Sequence, residues 1–174
     1  MLLKNNSLRI AEWFFKYPGK TYHIREISRM TKLSTTGVVR AIGELKKEGI
    51  LVSKKERNAE LVNPNFEGRF VLSKRLYNIY SLYDSGLIDH IKKIYEEPQA
   101  IVLFGSYSNG TDTEKSDIDI AIVCEKEKET NLEKFENLLA RKIRIQAIDP
   151  KKSDRPFKNS LANGVVLEGF LEVV

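Results

Sequence analysis

Apolar residues recur at helical spacing through the first 50 positions of the chain. The spacing predicts three short helices, whose apolar stripes are Leu8, Ala11, Phe14 and Phe15, then Ile24, Ile27 and Met30, then Val38, Ile42 and Leu45. Ser34 stands before the third stripe as a predicted N-cap, and Gly49 follows it as a residue that tolerates the left-handed conformation. The second and third helices are therefore separated by only a short turn.

The pattern changes after Gly49. Residues 50–52 and 60–63 are short apolar runs on either side of the charged segment 53–59, which predicts a β-hairpin with a charged tip. Two helices joined by about three or four residues form a helix-turn-helix arrangement. A helix-turn-helix followed by such a hairpin resembles the winged-helix family of transcriptional regulators, and this resemblance covers residues 5–65.

The winged-helix resemblance implies that the third helix is a recognition helix. The N-terminal residues of such a helix reach base edges in the major groove of DNA, so the candidates for base contact are Thr35, Thr36 and Arg40. Phosphate contacts would come from the wing residues Lys54, Lys55 and Arg57. The alternative is that the domain docks onto a protein and that these charges are only solvated.

The distribution of charge agrees with a nucleic-acid partner for this region. The 174-residue chain has a net charge of +5, yet residues 1–65 alone carry +7, from 13 basic and 6 acidic residues. Residues 66–98 are neutral, and residues 99–174 carry −2. A basic region within an otherwise balanced chain suggests contact with a polyanion such as double-stranded DNA, although a solvated basic face would give the same count.

Residues 66–96 contain two further apolar stripes, separated by Ser85 and Gly86. They predict a helical connector whose wide apolar faces pack against both neighbouring domains or against a second copy of the chain in a homodimer. The predicted domains are thus a winged helix-turn-helix (1–65), the connector (66–96) and a third domain (97–174).

The third domain begins with a pattern that can carry chemistry. Residues 100–104 form a continuous apolar run, typical of a strand buried on both faces. Gly105 then permits a tight turn, and Ser106 offers a hydroxyl and an amide at a helix N-terminus, where phosphate binds favourably. A second apolar strand follows at 120–123.

Asp117 and Asp119 precede that second strand and are two residues apart. In a strand both carboxylates project from one face, while Ile118 and Ile120 point into the core. Neighbouring carboxylates repel each other unless a cation binds between them. Oxygen ligands suit Mg²⁺ or Mn²⁺ rather than zinc, so the pattern predicts a metal and triphosphate site.

The segment reads Gly-Ser-x3-Gly-x5-Ser-Asp-x-Asp from Gly105 to Asp119, and it resembles the minimal nucleotidyltransferases of the DNA polymerase β superfamily. The likeness extends over residues 99–169 and implies an α+β chain whose C-terminal domain has a small mixed sheet. It further implies that Gly105, Ser106 and Ser116 bind the nucleotide. Asp117 and Asp119 would be the catalytic residues and the metal ligands.

One position departs from that family. Active members place a third carboxylate on the strand after the next helix, where this chain has Arg144 and Gln146. Three alternatives remain open. Asp149 or Glu125 supplies the acid from a loop, or two carboxylates suffice, or Arg144 neutralises the pair and the domain binds nucleotide without turnover.

Two functions follow from these patterns. The first is a Mg²⁺-dependent nucleotidyltransferase that moves a nucleoside monophosphate from an NTP, most simply ATP, to a protein or small-molecule acceptor. Minimal nucleotidyltransferases are often antitoxins that modify or sequester a small helical toxin-like protein encoded by the neighbouring gene, so the resemblance implies such a protein as partner and acceptor. The second is a DNA-binding regulator whose nucleotidyltransferase-like domain senses nucleotide or a partner without catalysis.

The single cysteine, Cys124, and the lack of a 20-residue apolar run predict a cytoplasmic protein that does not enter a membrane.

Overall fold

The computed structural model describes residues 5–56, 59–150 and 152–172. Its helices and two small sheets confirm the predicted α+β class. The chain folds into two compact units, of which the first ends at Tyr77 and the second begins at Asn78. The boundary therefore falls inside the predicted connector.

The first unit contains a small antiparallel sheet, three complete helices and the first part of a fourth. Its elements are α1 (Asn6–Lys16), β1 (Tyr22–His23), α2 (Ile24–Thr31), α3 (Thr35–Lys47), β2 (Leu51–Glu56) and β3 (Ala59–Pro64). The strand order is β1-β3-β2. The three helices and the hairpin lie where the sequence predicts them. Strand β1 is not predicted, because two residues are too few to show an alternating pattern.

Both predicted ends of α3 are confirmed. The Ser34 hydroxyl accepts a hydrogen bond from the Gly37 amide at 3.2 Å, as an N-cap does. Gly49 has a φ of +73°, and the apolar stripe of α3 is buried in the core of this unit. Local sequence signals thus define this helix completely.

The hairpin is longer than the sequence predicts. Strand β2 continues to Glu56, and Lys54 and Lys55 pair in register with Leu61 and Glu60. These lysines therefore lie in a strand rather than in the loop at the tip. Charged residues fit here because their side chains remain exposed. Arg57 lies outside the described residues.

The predicted connector forms α4 (Phe70–Asp84) and α5 (Leu87–Tyr95). Gly86, with a φ of +78°, separates the two helices, as the sequence predicts. The two units divide within α4.

The second unit is built on a four-stranded mixed sheet. Its remaining elements are β4 (Ala100–Phe104), α6 (Gly105–Asn109), β5 (Ile118–Val123), α7 (Glu133–Leu139), β6 (Ile143–Ile148), α8 (Arg155–Ala162) and β7 (Val165–Gly169). The strand order is β6-β5-β4-β7, in which only the β5–β6 pair is parallel. A mixed sheet is what the sequence predicts for this domain.

Each face of this sheet packs against different helices. One face buries Leu103, Ile118 and Ile120 together with residues of α5 and α7. The other buries Val102 and Ala121 with apolar residues of α8. The buried core on the α8 side consists of Ala100, Val102, Ala121, Val123, Ile148 and Leu161. Since successive side chains alternate between faces, Phe104, Asp119 and Arg144 also lie on the α8 side of the sheet.

Within the described part of the chain, no helix has the length and apolar character needed to cross a membrane.

Candidate functional site

Three strand ends meet at one edge of the second unit. The end of β4 lies beside the start of β5 because these strands are antiparallel, and β6 starts beside β5 because that pair is parallel. In register, Phe104 pairs with Asp119, and Asp119 pairs with Arg144. The topology therefore brings Gly105, which follows Phe104, to the same edge as the predicted carboxylates.

Gly105 is required at this edge for two physical reasons. Its φ of +73° is a conformation that other residues adopt only with strain. A Cβ atom at this position would also lie 2.8 Å from Oδ2 of Asp119, well inside van der Waals contact. The missing side chain thus leaves space directly beside one carboxylate, where a ligand could approach the backbone.

Helix α6, which begins at Gly105, is anchored by a contact with α4. Tyr107 is buried, and its hydroxyl lies 3.1 Å from the Ser81 hydroxyl. Burial raises the pKa of Tyr107 to about 12, so this anchor remains neutral. The Ser108 hydroxyl donates to the Gly105 carbonyl at 2.7 Å. Ser106, the second residue of α6, is half-buried at the same end of the helix.

The two predicted metal-binding carboxylates lie at the start of β5. Ile118 and Ile120 are fully buried on the opposite face, which confirms the predicted alternation. Burial raises the pKa of Asp119, the charge of Asp117 raises it further, and Arg144 opposes this rise. The surroundings therefore stabilise the ionised form of Asp119 less well than water does, and a bound cation would stabilise it.

Arg144 lies on the strand where the resemblance to nucleotidyltransferases predicts a third carboxylate. Its Nη2 atom lies 2.7 Å from Oδ2 of Asp117, although the Arg144 side chain is 68% exposed. Sequence reasoning identified Arg144 as a potential neutralising charge but could not give its partner. The partner is Asp117, while Asp119 is its register neighbour.

The structure rules against a carboxylate supplied by the following loops. Glu125 comes after the far end of β5, and Asp149 after the far end of β6, where both line a cavity with Val123 and Ile148. Asp119 and Val123 are four steps apart along β5, a distance of about 13 Å at the usual rise per residue. That alternative is wrong because parallel strands carry both loops away from the site.

The donor set fits one divalent cation held jointly with a ligand. Asp117 and Asp119 offer carboxylate oxygens, the ligand type that Mg²⁺ and Mn²⁺ prefer. No cluster of three or more metal-ligating side chains exists in residues 5–56, 59–150 and 152–172. Mg²⁺ is commonly bound by one or two carboxylates plus substrate phosphates, so two carboxylates are compatible with a metal–triphosphate complex.

Ser116, the third predicted nucleotide-binding residue, shapes the loop before Asp117. Its hydroxyl accepts a hydrogen bond from the Thr113 amide at 3.0 Å. This bond closes a turn, which also includes the 3.1 Å bond from the Ser116 amide to the Thr113 carbonyl. A contact of Ser116 with nucleotide stays a prediction.

A buried polar cluster beneath this loop was missed by sequence reasoning. Arg141 and Asp112 form an ion pair at 3.2 Å, with side chains only 2% and 0% exposed. The Asn78 amide donates to the other Asp112 oxygen at 2.7 Å and to the Tyr107 carbonyl at 2.9 Å. The cluster ties the loop between α6 and β5 to the segment before β6. In the sequence, Asp112 looks like an ordinary polar loop residue, so no local signal identifies it.

The residues predicted to contact DNA lie in the first unit. Thr35, Thr36 and Arg40 are exposed on α3, and Nε of Arg40 lies 3.5 Å from Oε1 of Glu44. Lys54 and Lys55 are exposed on β2. These five side chains are therefore accessible to a ligand, and their contact with DNA stays a prediction. Val39, which the sequence analysis did not single out, is 51% exposed on the same helix.

Comparison with known proteins supports part of this interpretation. Residues 87–168 match the family described as polymerase beta, nucleotidyltransferase, and this segment extends from α5 into β7. The match supports the nucleotidyltransferase part of the sequence prediction and suggests nucleotidyl transfer in general, a chemistry that in this family uses an NTP and a divalent metal. No curated protein and no solved structure matches the chain. The segment that contains Gly105, Asp117 and Asp119 is therefore similar to a nucleotidyltransferase domain.

Proposed function

We propose that the chain is a Mg²⁺-dependent nucleotidyltransferase that transfers a nucleoside monophosphate from an NTP, most simply ATP, to a protein or small-molecule acceptor. The observation that supports this most strongly is the meeting of Gly105 and the two carboxylates at one sheet edge. This edge lies inside the segment that matches the nucleotidyltransferase family.

In the proposed reaction, the Gly105–Ser106 turn and Ser116 bind the triphosphate. Asp117 and Asp119 would hold the divalent metal, which when bound would supply positive charge to the α-phosphate and to the leaving group. The acceptor hydroxyl oxygen forms a bond to the α-phosphorus, and the hydroxyl proton passes to solvent. The bond from that phosphorus to the oxygen that bridges it to the β-phosphate breaks, and pyrophosphate leaves. The protein contributes position and electrostatic stabilisation rather than covalent chemistry.

Removing the metal is expected to abolish this transfer. The full chain is incubated with α-³²P-labelled NTPs, Mg²⁺ and candidate acceptors, including the product of the neighbouring gene, and labelled acceptor is separated from NTP. Label should appear with Mg²⁺ or Mn²⁺ and disappear with excess EDTA, because without the cation the two carboxylates repel the triphosphate. Equal labelling with EDTA present would contradict the proposal.

A second candidate function is supported by the ion pair between Arg144 and Asp117. Because this arginine neutralises one carboxylate of the pair, the domain could act as a nucleotide or partner sensor within a transcriptional regulator. Intact NTP binding without label on any acceptor would favour the sensor over the enzyme.

We further propose that the first unit is a winged helix that binds double-stranded DNA through α3 and the hairpin. The element order and the exposed positions of Thr35, Thr36 and Arg40 support this.

The Lys54→Ala/Lys55→Ala variant should bind DNA more weakly at all sequences. The slope of log K against log salt should fall by about 2, since two phosphate contacts are lost. Fluorescence anisotropy with upstream DNA at several salt concentrations measures this. Lys93→Ala removes an exposed charge from α5 of the second unit and is the control; an unchanged slope in the double variant would exclude the hairpin from the contact.

The remaining partners are also proposals. A homodimer is supported by Phe66, Leu72 and Leu76, which are large apolar side chains left exposed near and on α4. Light scattering during size-exclusion chromatography tests it, and a monomer mass at micromolar concentration would contradict it. A small helical toxin-like partner follows from the family resemblance, and co-purification with the neighbouring gene's product tests it. The proposed cytoplasmic location rests on the single cysteine, Cys124.

A further inference from the structure

We propose that Arg144 is an exchangeable counter-ion: it pairs with Asp117 in the nucleotide-free protein and moves to the triphosphate when nucleotide binds. Free divalent cations would then bind the site weakly, and cations that arrive with nucleotide would bind it well. This inference rests on the proposed metal–nucleotide site and adds a mechanism by which that site selects its ligand.

The Arg144 guanidinium lies at the same sheet edge as the two carboxylates and the turn predicted to bind phosphates. Arg144 Nη2 lies 2.7 Å from Asp117 Oδ2, and Arg144 is the register partner of Asp119, whose Oδ2 faces the space left by Gly105. The guanidinium therefore stands at the same edge as the turn predicted to bind phosphates. While it pairs with Asp117, one of the two carboxylates available to a metal is already neutralised.

Exposure indicates that this pair can exchange partners. The Arg144 side chain is 68% exposed and that of Asp117 is 22% exposed, and an ion pair with an exposed partner contributes little because water screens it. A second aspartate–arginine pair, Asp112 with Arg141, is 0% and 2% exposed and is therefore fixed in place. Of these two pairs, the buried one is permanent and the Arg144–Asp117 pair costs little to break.

The chemistry of the guanidinium favours the triphosphate as its second partner. Arginine presents several N–H donors in a plane that matches phosphate oxygens, and it stays protonated at all physiological pH values. A triphosphate carries more negative charge than a single carboxylate, so Arg144 gains by the exchange. Asp117 is then released to join Asp119 as a metal ligand.

The inference is tested by Mn²⁺ binding to the full chain, measured by electron paramagnetic resonance of the free ion. Titrations are made with and without a non-hydrolysable α,β-methylene triphosphate, and nucleotide affinity is measured by calorimetry. Without nucleotide, Arg144→Gln should bind Mn²⁺ about tenfold more tightly than the wild type. In the presence of Mn²⁺ it should bind the nucleotide analogue about tenfold more weakly, since a charge-assisted contact is lost.

Matched variants separate the outcomes. Lys93→Gln removes one positive charge from α5, on the opposite face of the sheet, and should match the wild type within about twofold in both titrations if the effect is local. An Arg144→Gln variant whose affinity for either Mn²⁺ or nucleotide equals that of the wild type, or a Lys93→Gln variant that reproduces both changes, overturns the inference. If Asp117→Asn and Asp119→Asn bind Mn²⁺ and nucleotide as tightly as the wild type, the proposed site itself is wrong.

Discussion

Replacing Asp112 with alanine is expected to lower the free energy of unfolding of the second unit by about 3–5 kcal/mol. The change leaves the Arg141 guanidinium buried without its counter-ion and removes the acceptor of the 2.7 Å bond from Asn78. The loop between α6 and β5, which ends at Asp117, would lose its connection to the segment before β6. Nucleotide binding should therefore weaken together with stability.

Calorimetry or circular dichroism at 222 nm measures this effect. The only tryptophan, Trp13, lies in the other unit and is unsuitable as a reporter. The matched control is Glu136→Gln, because the Lys142 side chain that pairs with Glu136 at 2.7 Å is 76% exposed, and glutamine keeps an oxygen that can accept the 3.1 Å bond from the Ile143 amide. This variant should lose less than about 1 kcal/mol. Equal losses in the two variants would show that the buried pair does not stabilise the unit.

Replacing either Asp117 or Asp119 with asparagine is expected to reduce nucleotidyl transfer on the order of 10²–10³-fold. Asparagine keeps the size of the side chain but removes the charge that holds a divalent cation. The rate of label transfer from α-³²P-NTP, measured at saturating NTP and acceptor, gives the effect.

The stability of these variants distinguishes a functional effect from a structural one. The pKa of Asp119 is raised by burial and by Asp117, so its ionised form costs free energy in the folded state at neutral pH. Asp119→Asn should therefore leave the stability unchanged or raise it while transfer falls. A variant that retains wild-type transfer would remove that carboxylate from the mechanism.

Local patterns in the sequence predicted much of the fold. The Ser34 cap, the left-handed Gly49 and the break at Gly86 each depend on a few neighbouring residues, and all three are present. The alternation of Ile118 and Ile120 with the aspartates likewise follows from the period of a strand. Such features could be predicted because one segment of chain determines them.

Features that depend on distant residues could not be predicted. The Arg144–Asp117 contact requires the parallel pairing of β5 with β6, and the Asp112–Arg141–Asn78 cluster joins three separate segments. The length of the hairpin was also misjudged, because exposed lysines in β2 look like loop residues. In each case, tertiary pairing rather than local propensity determines the outcome.

A crystal structure of the full chain with Mn²⁺ and a non-hydrolysable triphosphate, with anomalous scattering recorded for manganese, shows whether the sheet edge at Gly105, Asp117 and Asp119 binds a metal–nucleotide complex. We expect an anomalous peak at the two aspartates and a triphosphate against the Gly105–Ser106 turn. Manganese and nucleotide bound elsewhere, with Arg144 still on Asp117, would contradict it.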